Sequence, residues 1–466
     1  MTDIPSQHTT FLDQPPSCLE FCPAAPDYLV IGTYLLSETP SKGLANPQQT
    51  KTGSIQLFKL DPESPQLTEI HKVSLPHAVF DLHFSPRDPT LIAIATSVAS
   101  VSLYSLKSLQ NNDSTASNPD IITHLTTIPV HEDLATSVLY LSWLPPAHLT
   151  TGHNYSHDQL VTDGFAVSFS DGRVSIFHTQ PPSHIFSKET MTEIDLPGEP
   201  IEVWYTTFHR GRSSSGKRFL MLFSGDDFGS LRVHEFAGDG GVNGDGNDEG
   251  QKLLVDGQFL IQTREISDRG KHHGAGITAI LPLFSDAGKT VLLTGCYDEY
   301  LRVYKFAGRG EVLAEKWLGG GVWRLNVITE VEEGPLTTEE DLNVRRARSY
   351  LILASCMHAG ARIVRVTCST GGEEGLLAVK WDIEVLAEFT EHESMNYASD
   401  VWRGNGGAGS GAMHGSGGQD QLQRTDRDSK LLCVSSSFYD KRVDVHYART
   451  MALRNAADRH HIGGHE

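Results

Sequence analysis

The sequence has no stretch approaching the roughly 18 consecutive apolar residues of a membrane-spanning helix. Its start, MTDIPSQHTT, has no basic segment followed by an apolar core. Membrane insertion and secretion are therefore not expected, and a cytoplasmic location is. Basic residues are scarce: 38 Lys and Arg stand against 58 Asp and Glu, a net charge of −20. Such a chain repels phosphate backbones, which argues against nucleic acid as a direct partner. Only six cysteines occur, Cys18, Cys22, Cys296, Cys356, Cys368 and Cys433, most of them inside apolar strand-like runs where they read as buried, reduced thiols. No second Cys/His pair at zinc spacing follows Cys18 and Cys22, so no metal is expected. A G-x-S-x-G elbow, H-E-x-x-H, a P-loop and a helix-opening G-x-G-x-x-G are all missing. No cofactor is expected, and helical periodicity is almost absent.

What is there is a repeat. A chain of 466 residues would suggest about three domains at roughly 150 residues each, but one pattern recurs seven times: an apolar strand, a tight turn, then an alternating strand. The pairs are YLVIGTY with SIQLFKL, TLIAIATS with SVSLYSL, GFAVSFSDG with RVSIFHT, FLMLFSGDD with SLRVHEF, VLLTGCYDE with LRVYKF, YLILASCMH with ARIVRV, and LLCVSSSFYD with RVDVHY. A candidate inner strand precedes each pair, from CLEFCP and VFDLHFSP to VWRLNVI and MNYASDVW. This is the layout of an all-β, seven-bladed WD40-type β-propeller. The seventh pair lacks a good outer strand, and HTTFLDQ is placed to supply one, closing the ring by an N-terminal strand. The expectation is a single propeller over 8–450, with a Gly-rich insertion at 403–428 and a polar tail at 451–466. Further insertions are expected at Gln110–Pro119, Gly238–Gly250 and Thr329–Arg348.

In such a blade the middle turn and the loop leading into the next inner strand open on one face. The turns place Asp171, Asp227, Asp298, His358 and Asp440 there; the leading loops place His77, His131, His272, His273, His392 and Glu393. Turn aspartates hold tight turns by accepting backbone N–H groups, so Asp171, Asp298 and Asp440 read first as structural, and His273 with Asp298 as a structural pair. His358 stands where other blades carry Asp, and imidazole is a poorer acceptor for closing a turn. His358 and His392, on adjacent blades, are expected to face one another across the pore mouth. A sheltered set of His and carboxylate groups is suited to activating water. The aromatics Trp323, Tyr397, Trp402, Phe438 and Tyr439 lie beside these positions. Most read as blade packing, but Trp323 and Tyr439 with Arg324 lie nearest the open face, where aromatics and carboxylates can hold a quaternary ammonium group.

The strings HHGAGITAI, LLTGCYDE, GGGVWRL, SCMHAGARIV, EHESMNYASDVW and SSFYDKRVDVHY resemble the signature segments of the diphthine methyl esterase family of propellers, from about Cys18 to Tyr447. CMHAGARIV and SSFYDK are the most specific, since generic blades do not place MH and FYD at those turns. The SETPSKGLANPQQT insertion, the swollen 403–428 loop and Ile277 depart from the family pattern. The resemblance implies hydrolysis of the methyl ester of methylated diphthine on elongation factor 2, giving diphthine and methanol, by a monomer with that factor as partner. The chemistry is acyl transfer to water, which needs a base and oxyanion donors. The candidate catalytic residues are His358, His392, His273, Asp298 and Asp440; the candidate substrate-binding residues are Trp323, Arg324, Tyr397, Tyr439 and Glu393. Either His358 or His392 would activate water, with Arg324 or turn N–H groups stabilising the oxyanion. A covalent route through Cys356 or Ser437 is less favoured, because both lie at strand positions that point into packing. The alternative is a non-catalytic scaffold that docks elongation factor 2 or another protein of the pathway.

Overall fold

The middle strands of the repeats carry apolar side chains interleaved with small polar ones such as serine and threonine, and such a strand is buried on both faces when sandwiched between two sheets. In the computed structural model LIAIAT, SVSLYS, GFAVSF and VSIFHT are buried at every position, whereas the outer strands THLTTIP and EVLAEKW are largely exposed. The structure describes residues 2–39, 48–110, 121–145, 163–179, 185–196, 198–212, 218–237, 254–255, 258–266, 271–286, 289–333, 347–371, 378–404 and 430–449. The tail 451–466, the Gly238–Gly250 run, and nearly all of the 110–119 and 403–428 insertions lie outside them.

Seven antiparallel sheets form the ring. From inside outward, blade 1 is Pro16–Phe21, Tyr28–Thr33, Gln48–Asp61 and Gln66–Leu75; blade 2 is Val79–Phe84, Leu91–Thr96, Ser100–Ser105 and Thr123–Pro129; blade 3 is Val138–Trp143, Gly164–Phe169, Val174–Thr179 and Met191–Leu196. Blade 4 is Val203–Arg212, Arg218–Asp226, Leu231–Ala237 and Gln258–Ile266; blade 5 is Ile277–Asp286, Lys289–Cys296, Tyr300–Phe306 and Glu311–Trp317. Blade 6 is Arg324–Glu333, Ala347–Ser355, Ala361–Gly371 and Ala378–Phe389; blade 7 is Ser399–Val401, Lys430–Ser437 and Arg442–Arg449. Each inner strand packs on the next, and that of blade 7 packs on that of blade 1, so the ring is closed.

The fourth strand of blade 7 is Ser6–Phe11, antiparallel to Arg442–Arg449 with His8 opposite Val445 and Phe11 opposite Arg442, as the missing outer strand required. The chain before it does more than the sequence suggested. Thr2–Asp3 adds in parallel to the outer edge of blade 6. Ile4 then sinks between blades 6 and 7 among Leu353, Ile363, Val401 and Cys433, a burial that contributes about 2 kcal/mol.

Three expectations change. Leu35–Thr39 pairs with the start of Gln48–Asp61, so the expected insertion in blade 1 opens as a β-ribbon. Part of the expected 329–348 loop is strand, because Thr329 to Glu333 pairs with Ala347 to Leu351. The MNYASDVW strand shrinks to Ser399–Val401, because the Asn396 amide donates to the carbonyls of Ala398 and Ser436 and replaces the ladder there.

One device recurs at the turn-side end of the inner strands. In blades 1 to 5 a single extra residue interrupts the ladder: Ser17, Phe80, Leu139, Trp204 and Thr278. Bulges of this kind bend a strand and re-aim its side chains. Here they decide which residues face the mouth of the central channel and which line it.

Candidate functional site

The turn residues are occupied with closing blades. His273 is fully buried, donates to or accepts from Thr294 Oγ1 at 2.9 Å, and burial pushes its imidazole down to about 3. Asp298 accepts the N–H groups of Gly274 and Tyr300 and pairs with Arg302 at 2.8 Å. Burial opposes its ionisation, but these partners hold it below the usual carboxylate range. His273 and Asp298 are therefore both structural but not directly bonded to each other. Asp440 accepts the Ser394 hydroxyl at 2.8 Å and the Glu393 N–H at 3.4 Å, while the Glu393 side chain is exposed.

The expected confrontation of His358 and His392 is not formed. His392 lies inside blade 7, 3.1 Å from Ser435 Oγ, 3.4 Å from Asp444 and edge-on to Phe389. It bonds a hydroxyl of the second strand just as His273 bonds Thr294, and so turns away from the pore. His358 points outward with a side chain 55% exposed, 3.8 Å from Glu299 of the blade 5 turn. Cys356 and Ser437 are buried as expected, and burial pushes the Cys356 thiol up to about 12. All six cysteines are free and buried.

The predicted aromatics do come together, in a longer array than the sequence suggested. Phe80 touches Tyr34, Tyr34 touches Phe438, and Phe438 touches both Tyr439 and Tyr397. Tyr397 lies 5.0 Å from Trp323, which meets Tyr297 at 5.7 Å and Trp204 at 5.5 Å. Eight rings from blades 1, 2, 4, 5, 6 and 7 thus follow one another around the mouth. Seven are half-buried and Tyr439 is 68% exposed, so the array is partly open to solvent. Phe80 and Trp204 join because they are the bulged residues of blades 2 and 4. Trp204 is fixed by donating to Asp227 at 2.7 Å. The loop before Trp323 fits only because Gly320 is glycine: a Cβ there would lie 2.2 Å from the Cys356 carbonyl oxygen. Trp402, by contrast, donates to Asp27 and packs in the core.

Beneath the mouth lies a layer of residues that follow the bulges: Cys18, Asp81, Tyr140, Tyr205 and Ala279. Arg324 enters this layer from blade 6. Its guanidinium carbon lies 4.9 Å from the ring of Trp323, 4.8 Å from Tyr140 and 5.7 Å from Tyr205, and Nη2 is 3.9 Å from Asp81 Oδ1. One side chain thus spans the channel to blades 2, 3 and 4. Asp81 Oδ2 is 3.0 Å from His83 Nε2, and His83 Nδ1 is 3.1 Å from Glu20. Burial alone would lower the His83 pKa, but Asp81 and Glu20 overcome it and hold the imidazolium up to about 10. Burial keeps the Tyr140 phenol protonated well above its ordinary range. Asp81, His83, Glu20, Tyr140 and Tyr205 were missed in the sequence because the bulge shifts the face on which each appears.

A closed ring of seven four-stranded blades, with an aromatic mouth over a charged channel, defines a β-propeller of the WD-repeat class built to display a site on one face. No family model matches the chain. It is 25% identical over 442 residues to the diphthine methyltransferase of Schizosaccharomyces pombe, covering 95% of this chain and 97% of that protein. The diphthine methyltransferase of Saccharomyces cerevisiae is 23% identical over 366 residues, covering 75% and 83%, and that of Homo sapiens 28% over 200 residues, covering 43% and 32%. Among solved structures, Saccharomyces cerevisiae Sqt1 aligns with TM-score 0.47 at 10% identity over 96% of this chain and 100% of that one. The chain is thus similar to these diphthine methyltransferases, in the case of the fission-yeast protein along nearly the whole of both chains.

Proposed function

We propose that this protein hydrolyses the methyl ester of methylated diphthine on elongation factor 2, in the cytoplasm, releasing methanol. The observation that carries this reading is the aromatic belt directly over Arg324. The substrate side chain joins a trimethylammonium group to an ester. Rings such as Trp204, Tyr297, Trp323 and Tyr397 offer their negative faces to the first, and the Arg324 guanidinium offers N–H donors to the developing oxyanion of the second. The net charge of −20 favours approach of a cationic side chain. Of the residues singled out in the sequence, Arg324, Trp323, Tyr397 and Tyr439 carry this reading; His358 lies outside the belt.

The name of the relatives supplies a second reading, methyl transfer to diphthine. Docking without chemistry is a third. Purified protein is incubated with methyl-esterified elongation factor 2, and the modified peptide is followed by mass spectrometry. Hydrolysis removes one methyl from the peptide and releases methanol. Gain of a methyl when a methyl donor is supplied would establish transfer instead. Binding with unchanged mass would leave only the scaffold.

A further inference from the structure

We infer that Asp81 is the general base of the ester hydrolysis proposed above, on which this inference rests. Asp81 ties blade 2 to blade 3 through the Leu141 N–H, but its layer does not call for a carboxylate in other blades. In the layer that follows the bulges, blades 1, 3, 4 and 5 are closed by Cys18, Tyr140, Tyr205 and Ala279, all uncharged. Blade 2 alone among these places an acid there, and it is only 3% exposed. A buried carboxylate is tolerated only when compensated, and the compensation is uneven. Oδ2 takes the Leu141 N–H at 3.4 Å and lies against His83. Oδ1 accepts no hydrogen bond among the described residues and faces Arg324 Nη2 across 3.9 Å, beyond bonding distance. Oδ1 is therefore the Asp81 atom with lone pairs left to take a proton from a water.

The groups facing Asp81 are His83 on its own strand, Cys18 and Glu20 from blade 1, Tyr140 from blade 3, Tyr205 from blade 4 and Arg324 from blade 6. His83 and Arg324 set positive charge on either side of the Asp81 carboxyl group. Asp81 takes a proton from the water as the water oxygen bonds to the ester carbonyl carbon, and the carbonyl pair moves onto oxygen against Arg324. Collapse of the tetrahedral intermediate breaks the bond to the methoxy oxygen, which takes the proton back from Asp81 and leaves as methanol. The new carboxylic acid gives its own proton to solvent. His83, pinned between Glu20 and Asp81, is a positioning residue.

The test compares the whole protein with Asp81→Asn and His83→Gln on methyl-esterified elongation factor 2, with tetramethylammonium as the binding probe. Asp81→Asn is expected to lower kcat about 100-fold or more with the probe Kd changed less than about twofold, since the belt is untouched. His83→Gln removes the positive neighbour of Asp81, so the acid limb of kcat/KM moves to higher pH. A purely structural ion pair would not move that limb. Wild-type protein without turnover sinks the hydrolysis reading and this assignment together. Wild-type turnover with Asp81→Asn within about threefold sinks only the assignment. Should Asp81→Asn fail to fold, an unmoved acid limb in His83→Gln overturns it instead.

Discussion

A guanidinium that leaves blade 6, ends on two tyrosine rings of blades 3 and 4 and donates from Nη1 to the carbonyls of Thr278 and Trp323 is costly to bury. Removing one partner of a buried pair leaves the other charge uncompensated and costs about 3–5 kcal/mol. Arg324→Met is therefore expected to lower the thermal midpoint, and kcat to fall by about 100- to 1000-fold, the range for removing one oxyanion donor. Turnover lost at temperatures well below the lowered midpoint, where the ring is still folded, is the pattern that checks it. Trp323→Ala should act on binding instead, weakening tetramethylammonium by about 1–2 kcal/mol, roughly 5- to 30-fold, in a calorimetric titration. His358→Ala, at a side chain 55% exposed, should leave both quantities within about threefold. At this scale the sequence was half legible. Arg324, Trp323, Tyr397 and Tyr439 stood out because charge or aromatic bulk at a loop has no packing duty. Asp81 and His83 did not, since VFDLHF reads as an ordinary alternating strand until the bulge at Phe80 is known.

Single strands explain why the histidines were misplaced. In blade 7 the third strand carries Asp444, fully buried, which accepts hydrogen bonds from Ser6, Thr9 and Arg442 and faces His392. Burial opposes its ionisation, but His392 and these donors hold its carboxyl down to about 2. The sign follows directly. Its folded pKa lies below the unfolded value near 3.8, so between about pH 4 and pH 2 the unfolded chain binds more protons, and stability is lost as pH falls. That loss amounts to about 2 kcal/mol. Urea unfolding at pH 5 and pH 2.5 measures it, and Asp444→Asn should remove most of that pH dependence. The tight turns made the seven strand pairs readable, because Asp-rich turns between apolar runs have few other uses. The partner of a leading-loop histidine was not readable. His392 bonds Ser435 on the second strand, a contact set by how the loop folds back rather than by spacing.

The whole ring is needed to assemble a site whose parts come from both arcs. Arg324 of blade 6 reaches Asp81 of blade 2 and the tyrosines of blades 3 and 4, and the belt runs from Phe80 of blade 2 through Phe438 of blade 7 to Trp204 of blade 4. No blade holds the site alone, so its geometry depends on closure. Closure in turn depends on the first eleven residues, which pair with blade 7 through Ser6–Phe11, with blade 6 through Thr2–Asp3, and plug the seam with Ile4. Removing residues 2–11 exposes the edge of blade 7 and leaves Asp444 without Ser6 and Thr9. The expected outcome is a thermal midpoint lower by several degrees and, well below that midpoint, tetramethylammonium affinity reduced about tenfold or more, because the two arcs of the belt no longer hold their spacing. A synthetic peptide of residues 2–12 added in trans should restore both, since the lost contacts are an edge ladder and one buried isoleucine, and neither needs a covalent link. Full affinity in the truncated protein without the peptide would show that the inner strands alone keep the ring shut.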